Sequence, residues 1–250
     1  MYEAEVSRAK KALVVYLIDQ SGSMAEAWTN GDSKATEVAK LLNENINSMI
    51  LECKKGGEVR DYFDIAAIGY GSDVGSTLHG TLRGHRTVST TELYDTPLSN
   101  SGEAATYIEA SSSRGGTDMA TAFREAAAIC SEWSAAHQSS FPPTVLHITD
   151  GEYTGENPTT AANELKAVST TDGATLLWNI HISSSGGSPI VMPTSGDALS
   201  GKAKELFDIS SAIPTGSRHF KSIPVNSKAF AYNANLKDLS KCIEVGTVLL

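Results

Sequence analysis

Lys11-Ala12-Leu13-Val14-Val15-Tyr16-Leu17-Ile18-Asp19-Gln20-Ser21-Gly22-Ser23 is the stretch on which the reading of this chain turns. Its first part is apolar from Ala12 to Ile18 without interruption, as in a strand covered on both faces, and such strands lie at the centre of parallel sheets. Its second part sets a carboxylate and two hydroxyls at every second residue directly after that strand. Hard divalent cations take oxygen ligands, and Mg2+ prefers few carboxylates, neutral oxygens and retained water. Gly22 is expected to let the backbone turn tightly so that Asp19, Ser21 and Ser23 converge. The same residue types also crowd turns and helix N-caps. Alone, the pentapeptide leaves both readings open.

Outward from it, short apolar runs alternate with segments of helical period. This pattern predicts an α/β domain with a mainly parallel sheet and helices on both faces. Val38, Leu41, Leu42, Ile46, Met49 and Ile50 recur at spacings of three and four through 33–53, giving an amphipathic helix that ends before Gly56-Gly57. A second strand is expected at 61–69, and Gly71-Ser72-Asp73 reverses the chain into an antiparallel edge strand over 74–82. Residues 83–114 read as a polar insert carrying Glu92, Asp95, Glu103 and Glu109, with a short helix near 102–110. Those acids suit a solvated face better than a second cation site.

Gly115-Gly116-Thr117-Asp118 then opens a helix whose apolar face includes Phe123, Ala126, Ala127, Cys130 and Trp133. A buried strand at 144–149 stops at Asp150-Gly151-Glu152. A helix is expected at 158–168, a strand at 174–182, a loop at 183–201, helices at 199–209 and 228–243, and a weak strand at 219–225. The expectation is one domain over 1–250, with a core at about 11–210 and an extension at 211–250.

Composition narrows the function. A formal net charge of -9 and a pI near 5.1 argue against general affinity for nucleic acid or anionic membrane. Cys53, Cys130 and Cys242 are odd in number and far apart, which predicts reduced thiols and a cytoplasmic setting. The polar, helix-like residues 1–11 and the short apolar runs predict neither secretion nor membrane insertion.

In an open parallel sheet, ligands bind beyond the carboxyl ends of the strands, where strand order reverses. Three oxygen-rich loops are expected at that rim: 19–23, 115–118 and 150–152. Two glycines before Thr117 permit close backbone approach to a shared centre. Together the loops favour a cation over a turn. At this point the chain resembles the von Willebrand factor A domains, whose metal-ion-dependent adhesion site has a D-x-S-x-S loop, a Thr in a second loop and an Asp in a third. The matching residues are Asp19-Gln20-Ser21-Gly22-Ser23, Gly115-Gly116-Thr117-Asp118 and Ile148-Thr149-Asp150-Gly151, in the family's order. The resemblance implies a doubly wound, mainly parallel six-stranded sheet with one antiparallel edge strand. It also implies a Mg2+ or Mn2+ site built from Asp19, Ser21, Ser23, Thr117 and Asp150, at which an acidic residue of a protein partner completes the coordination. Single-domain relatives in bacteria point towards tellurite-resistance or stress signalling, or an adaptor for an ATPase.

The rival reading is a Mg2+-dependent phosphatase or phosphotransferase with Asp19 as nucleophile. That chemistry wants a second carboxylate where this chain has Ser21, and a lysine in a motif context. No G-x-x-x-x-G-K-[ST] loop exists, and Ser21 and Ser23 lack a nucleophile-elbow context. His147 and His181 fall in strands expected to be neighbours, but no third zinc ligand accompanies them.

Overall fold

The computed structural model describes residues 1–28, 31–96, 106–184 and 187–247. Eight strands form its main sheet: β1 (Ala12–Asp19), β2 (Phe63–Tyr70), β3 (Val74–Ser76), β4 (Val88–Ser89), β5 (Thr144–Thr149), β6 (Leu176–Ile182), β7 (Ile190–Val191) and β8 (Phe230–Ala234). The spatial order is β7-β8-β6-β5-β1-β2-β3, with β4 also on β2. Strands β1, β2, β5, β6 and β8 run parallel, whereas β3 and β4 are antiparallel to β2 and β7 to β8. The sheet is therefore wider than the expected six strands, and its antiparallel members are three short edge pieces. All eight residues of β1 are buried. Side chains alternate across a strand, so Val14, Tyr16 and Ile18 pack in one apolar cluster and Leu13, Val15 and Leu17 in the other.

Helices cover both faces. α1 (Lys34–Glu52), α2 (Thr90–Asp95) and α6 (Leu236–Thr247) bury Val38, Leu42, Leu93, Leu239 and Ile243 in the first cluster. α3 (Met119–Ala136), α4 (Thr159–Ala167) and α5 (Gly201–Ile209) bury Phe123, Ala161 and Leu206 in the second. The predicted period of α1 is seen in the burial of Val38, Leu42, Ile46, Met49 and Ile50. Each such side chain stabilises the fold by roughly 1.5–3 kcal/mol relative to exposure. Ser33 caps the helix by accepting the Thr36 N–H at 3.1 Å.

Three expectations change. Residues 228–243 do not form one helix: 230–234 extend as β8 beside β6, and the helix begins at Leu236. No strand occupies 219–225, where Arg218–Phe220 makes a 3-10 turn. Residues 1–11 are not helical and pair locally through Ser7 and Lys10. The helix expected near 102–110 falls partly outside the described residues; within them, Ile108 bridges Leu78 in extended conformation, and Asn43 of α1 receives its N–H at 2.9 Å. Glu92 belongs to a capping box with Ser89, and Glu103 lies outside the described residues.

This topology places the site. From β1 the chain crosses to β2 on one side and later reaches β5 on the other. Strand order reverses between β1 and β5, and the carboxyl ends of both open onto that crevice.

Candidate metal centre

Asp19 ends β1 and is fully buried. Its Oδ1 accepts the Ser21 N–H at 2.8 Å, and its Oδ2 accepts the Thr149 hydroxyl at 2.7 Å. Beyond it, Gly22–Ala25 makes one 3-10 turn, which brings the Ser21 and Ser23 hydroxyls to 3.0 Å from each other. Ser23 donates to Asp150 Oδ1 at 2.8 Å. Gly22 is not the source of this convergence: its φ is not positive and a Cβ there would meet open space. The 3-10 turn suffices.

Glycine matters instead in the second loop. Gly115 has φ +76°, and a Cβ on Gly116 would stand 3.1 Å from both Ser72 Oγ and Thr154 Oγ1. The Gly116 N–H donates to Ser72 Oγ at 2.8 Å, and the Gly22 N–H reaches the Gly115 carbonyl at 3.3 Å. Arg114 adds a further tie, its Nε donating to Gln20 Oε1 at 2.6 Å. Thr117 is buried, its N–H donating to Thr154 Oγ1 and its carbonyl accepting the Thr154 N–H, each at 2.9 Å. Backbone and side-chain bonds thus join all three loops. Among the described residues, the Thr117 hydroxyl shares no hydrogen bond with Asp19, Ser21, Ser23 or Asp150. Asp118 serves as the N-cap of α3.

The third loop brings a residue that the motif does not single out. Lys34, the first residue of α1, donates from Nζ to Asp150 Oδ2 at 2.8 Å and to Glu26 Oε2 at 2.7 Å. The Lys34 side chain is 5% exposed and that of Asp150 0%, whereas Glu26 lies at the rim with 62% exposed. Burial alone pulls the ammonium down, but Asp150 and Glu26 outweigh it and hold Lys34 above the usual lysine pKa. Asp19 lies above the usual carboxylate range: burial raises it, the Thr149 and Ser21 hydrogen bonds oppose the rise, and the nearby Asp150 charge adds to it. Two buried carboxylates and three hydroxyls form an all-oxygen set without thiolate or imidazole, which suits a hard divalent cation. No cluster of three or more His, Cys, Asp or Glu with metal-ligand geometry occurs among the described residues, and a two-carboxylate site does not require one.

Behind Asp19 runs a second feature that the sequence does not signal. Thr149 adjoins the phenol of Tyr70. The Tyr70 hydroxyl lies 2.7 Å from His147 Nε2, and His147 Nδ1 lies 2.7 Å from Asn179 Oδ1. Asn179 donates from Nδ2 to Ser210 Oγ at 2.9 Å. Because Asn179 Oδ1 can only accept, His147 carries its proton on Nδ1 and accepts from Tyr70 at Nε2. Both imidazole nitrogens are engaged, so the pairing of His147 with His181 around zinc does not form. Burial pushes His147 down to about 4, with the Asn179 bond opposing. Cys53, Cys130 and Cys242 are free and buried, and no helix is long and apolar enough to cross a membrane among the described residues.

No protein-family model and no curated protein matches the chain. Solved structures do. Proximal thread matrix protein 1 from the mussel byssus aligns over 99% of this chain and 48% of its own, at 15% identity and a TM-score of 0.50. A second structure of that protein, with a zinc-occupied MIDAS motif, aligns with the same figures. The pilus adhesin SpaC from Lactobacillus rhamnosus GG aligns over 99% of this chain and 31% of its own, at 13% identity and a TM-score of 0.51. The chain spans about half the length of the mussel protein and about a third of the adhesin. Given the strand order, the parallel core and these likenesses, the chain has the von Willebrand factor A fold.

Proposed function

We propose that this chain is a metal-dependent protein-binding module, with Asp19, Ser21, Ser23, Thr117 and Asp150 as the ligand set and Mg2+ or Mn2+ as the cation. The observation that carries this reading is the meeting of two buried carboxylates and two serine hydroxyls at the switch point between β1 and β5. When bound, the cation would supply an electrophilic position that a Glu or Asp of a partner protein fills. The chain's own part is to hold oxygens at the mouth of the crevice and to keep Asp19 oriented through Thr149 and the Ser21 N–H. Net negative charge disfavours an acidic partner at long range, but screening over about 8 Å at physiological salt leaves the local field in control.

The module is not an enzyme in this reading. Asp19 has both oxygens engaged by Thr149 and Ser21, and Lys34 is bound to Asp150 and Glu26 rather than free to hold a phosphate. The three buried thiols agree with a cytoplasmic setting. Bacterial stress or tellurite-resistance signalling, or an adaptor role for an ATPase, is the context that the family resemblance supports.

The test is stabilisation by Mg2+ and by Mn2+, measured as the thermal midpoint of the wild type and of Asp19→Ala and Asp150→Ala. A cation-dependent rise in the wild type that is lost in both variants is expected. Equal responses of all three would remove the metal assignment. Mg2+-dependent phosphatase turnover abolished in Asp19→Asn would replace the binding reading with the enzymatic one.

A further inference from the structure

Lys34 stands where a lysine is locally disfavoured. It is the first residue of α1 behind the Ser33 cap, at the helix end whose partial charge is positive and favours anions. Its stem and head are almost wholly buried, and few lysines are so buried without a partner that requires them. The partners here are Asp150 Oδ2 inside the crevice and Glu26 Oε2 at its rim. Glu26 is itself tied to the lysine, since the Lys34 N–H donates to the Glu26 carbonyl at 3.0 Å. One ammonium thus bridges a buried carboxylate of the ligand set and an exposed carboxylate outside it.

We propose that Lys34 is a built-in counter-cation that competes with the divalent ion for Asp150, and that it withdraws onto Glu26 when the site is loaded. This inference rests on the metal-binding reading above. Without Lys34, the two buried carboxylates of the site would face each other with only hydroxyls and N–H groups between them. With it, one of those charges is neutralised inside the protein, and the loops hold their arrangement without a metal. The same pairing subtracts from the attraction that a divalent cation meets, so Lys34 lowers the affinity of the site. Glu26 has the opposite effect, because it offers the displaced ammonium a partner at the edge of solvent. An uncompensated buried ammonium is costly, so the two residues act as a pair. Removing the lysine tightens the site, and removing the glutamate weakens it.

Mn2+ alone, titrated by electron paramagnetic resonance into wild type, Lys34→Met and Glu26→Gln, tests this directly. Lys34→Met is expected to bind Mn2+ at least about tenfold more tightly than wild type, because a buried competing charge is gone. Glu26→Gln, altered at an exposed position, is expected to bind about threefold more weakly, in keeping with the modest strength of rim ion pairs. As a second readout, acetylation of Lys34 by acetic anhydride, followed by mass spectrometry, should accelerate when Mn2+ is added to wild type. If Lys34→Met does not fold, Glu26→Gln and the acetylation rate decide. Unchanged Mn2+ affinity in Lys34→Met, or an acetylation rate indifferent to Mn2+, with normal binding by wild type, overturns the counter-cation role and leaves the metal site standing. No Mn2+ binding by any of the three forms removes both.

Discussion

Asp19 and Asp150 stand on opposite walls of one crevice, and their surroundings differ in kind. Asp19 is held by neutral donors, the Thr149 hydroxyl and the Ser21 N–H, with the uncharged column of Tyr70, His147 and Asn179 behind it. Asp150 is held by the Ser23 hydroxyl and by an ammonium. The difference teaches that the two acids of a shared site need not share a role. One is an orienting wall set into the core, with its charge softened by hydrogen bonds. The other is half of a buried ion pair whose ammonium also reaches a carboxylate at the solvent rim.

Neutralising each acid in turn without metal separates the two walls most strongly. Asp150→Asn leaves the buried Lys34 ammonium with Glu26 alone and should cost about 3 kcal/mol of unfolding free energy, the lower end for breaking a buried pair, in denaturant titrations with chelator present. Asp19→Asn removes a charge that burial already disfavours, and the loss should stay below about 1 kcal/mol. Equal losses would mean that the two walls hold their acids alike.

The neutral column makes the next prediction, and its sign follows from His147. Its folded pKa of about 4 lies below the ordinary 6.5, so between those values the unfolded chain binds a proton that the folded chain refuses. Stability from this residue is complete above pH 6.5, declines as pH falls towards 4, and is level below it. The loss amounts to about 3 kcal/mol over that window. His147→Gln should flatten the slope between pH 6.5 and 4 relative to wild type. A parallel pH profile in the two proteins would remove the buried neutral histidine from the account.

Smaller effects sharpen the picture. Thr149→Val takes the hydroxyl from Asp19 Oδ2 and should cost about 1–3 kcal/mol, the range for leaving a buried acceptor unmatched. Ser23→Ala breaks the bond to Asp150 Oδ1 and the contact with the Ser21 hydroxyl at the part-buried mouth, and should cost about 0.5–1.5 kcal/mol. Chemical denaturation would rank them, and the reverse order would place the weight of the site at its mouth rather than its wall.

The proposed ligand residues are legible in the sequence because the motif is local. Asp19, Ser21 and Ser23 lie within one turn, and Thr117 and Asp150 each sit where a loop meets a recognisable strand or helix. Lys34 is not legible as a partner of Asp150, since 116 residues separate them. The one sequence signal is its charge, out of place at a helix start after Ser33. His147 reads as a strand histidine, yet nothing local shows that Tyr70 and Asn179 take its two nitrogens. β8 escapes a sequence reading for a different reason. Phe230-Ala231-Tyr232-Asn233-Ala234 has alanines that fit a helix as well as a strand, and pairing with β6 overrides that local preference. Asn233 takes φ +52°, a conformation asparagine tolerates.

By itself the sequence determined the alternation of buried strands and amphipathic helices, the central place of β1, and the oxygen chemistry of the three loops. These follow from side-chain period and residue type, which act over a few positions. Only the tertiary structure decided the width of the sheet, the neutral backing of Asp19 and the cationic hold on Asp150. Those depend on which distant segments are driven together when the apolar faces close, and no local pattern encodes the distance between Lys34 and Asp150.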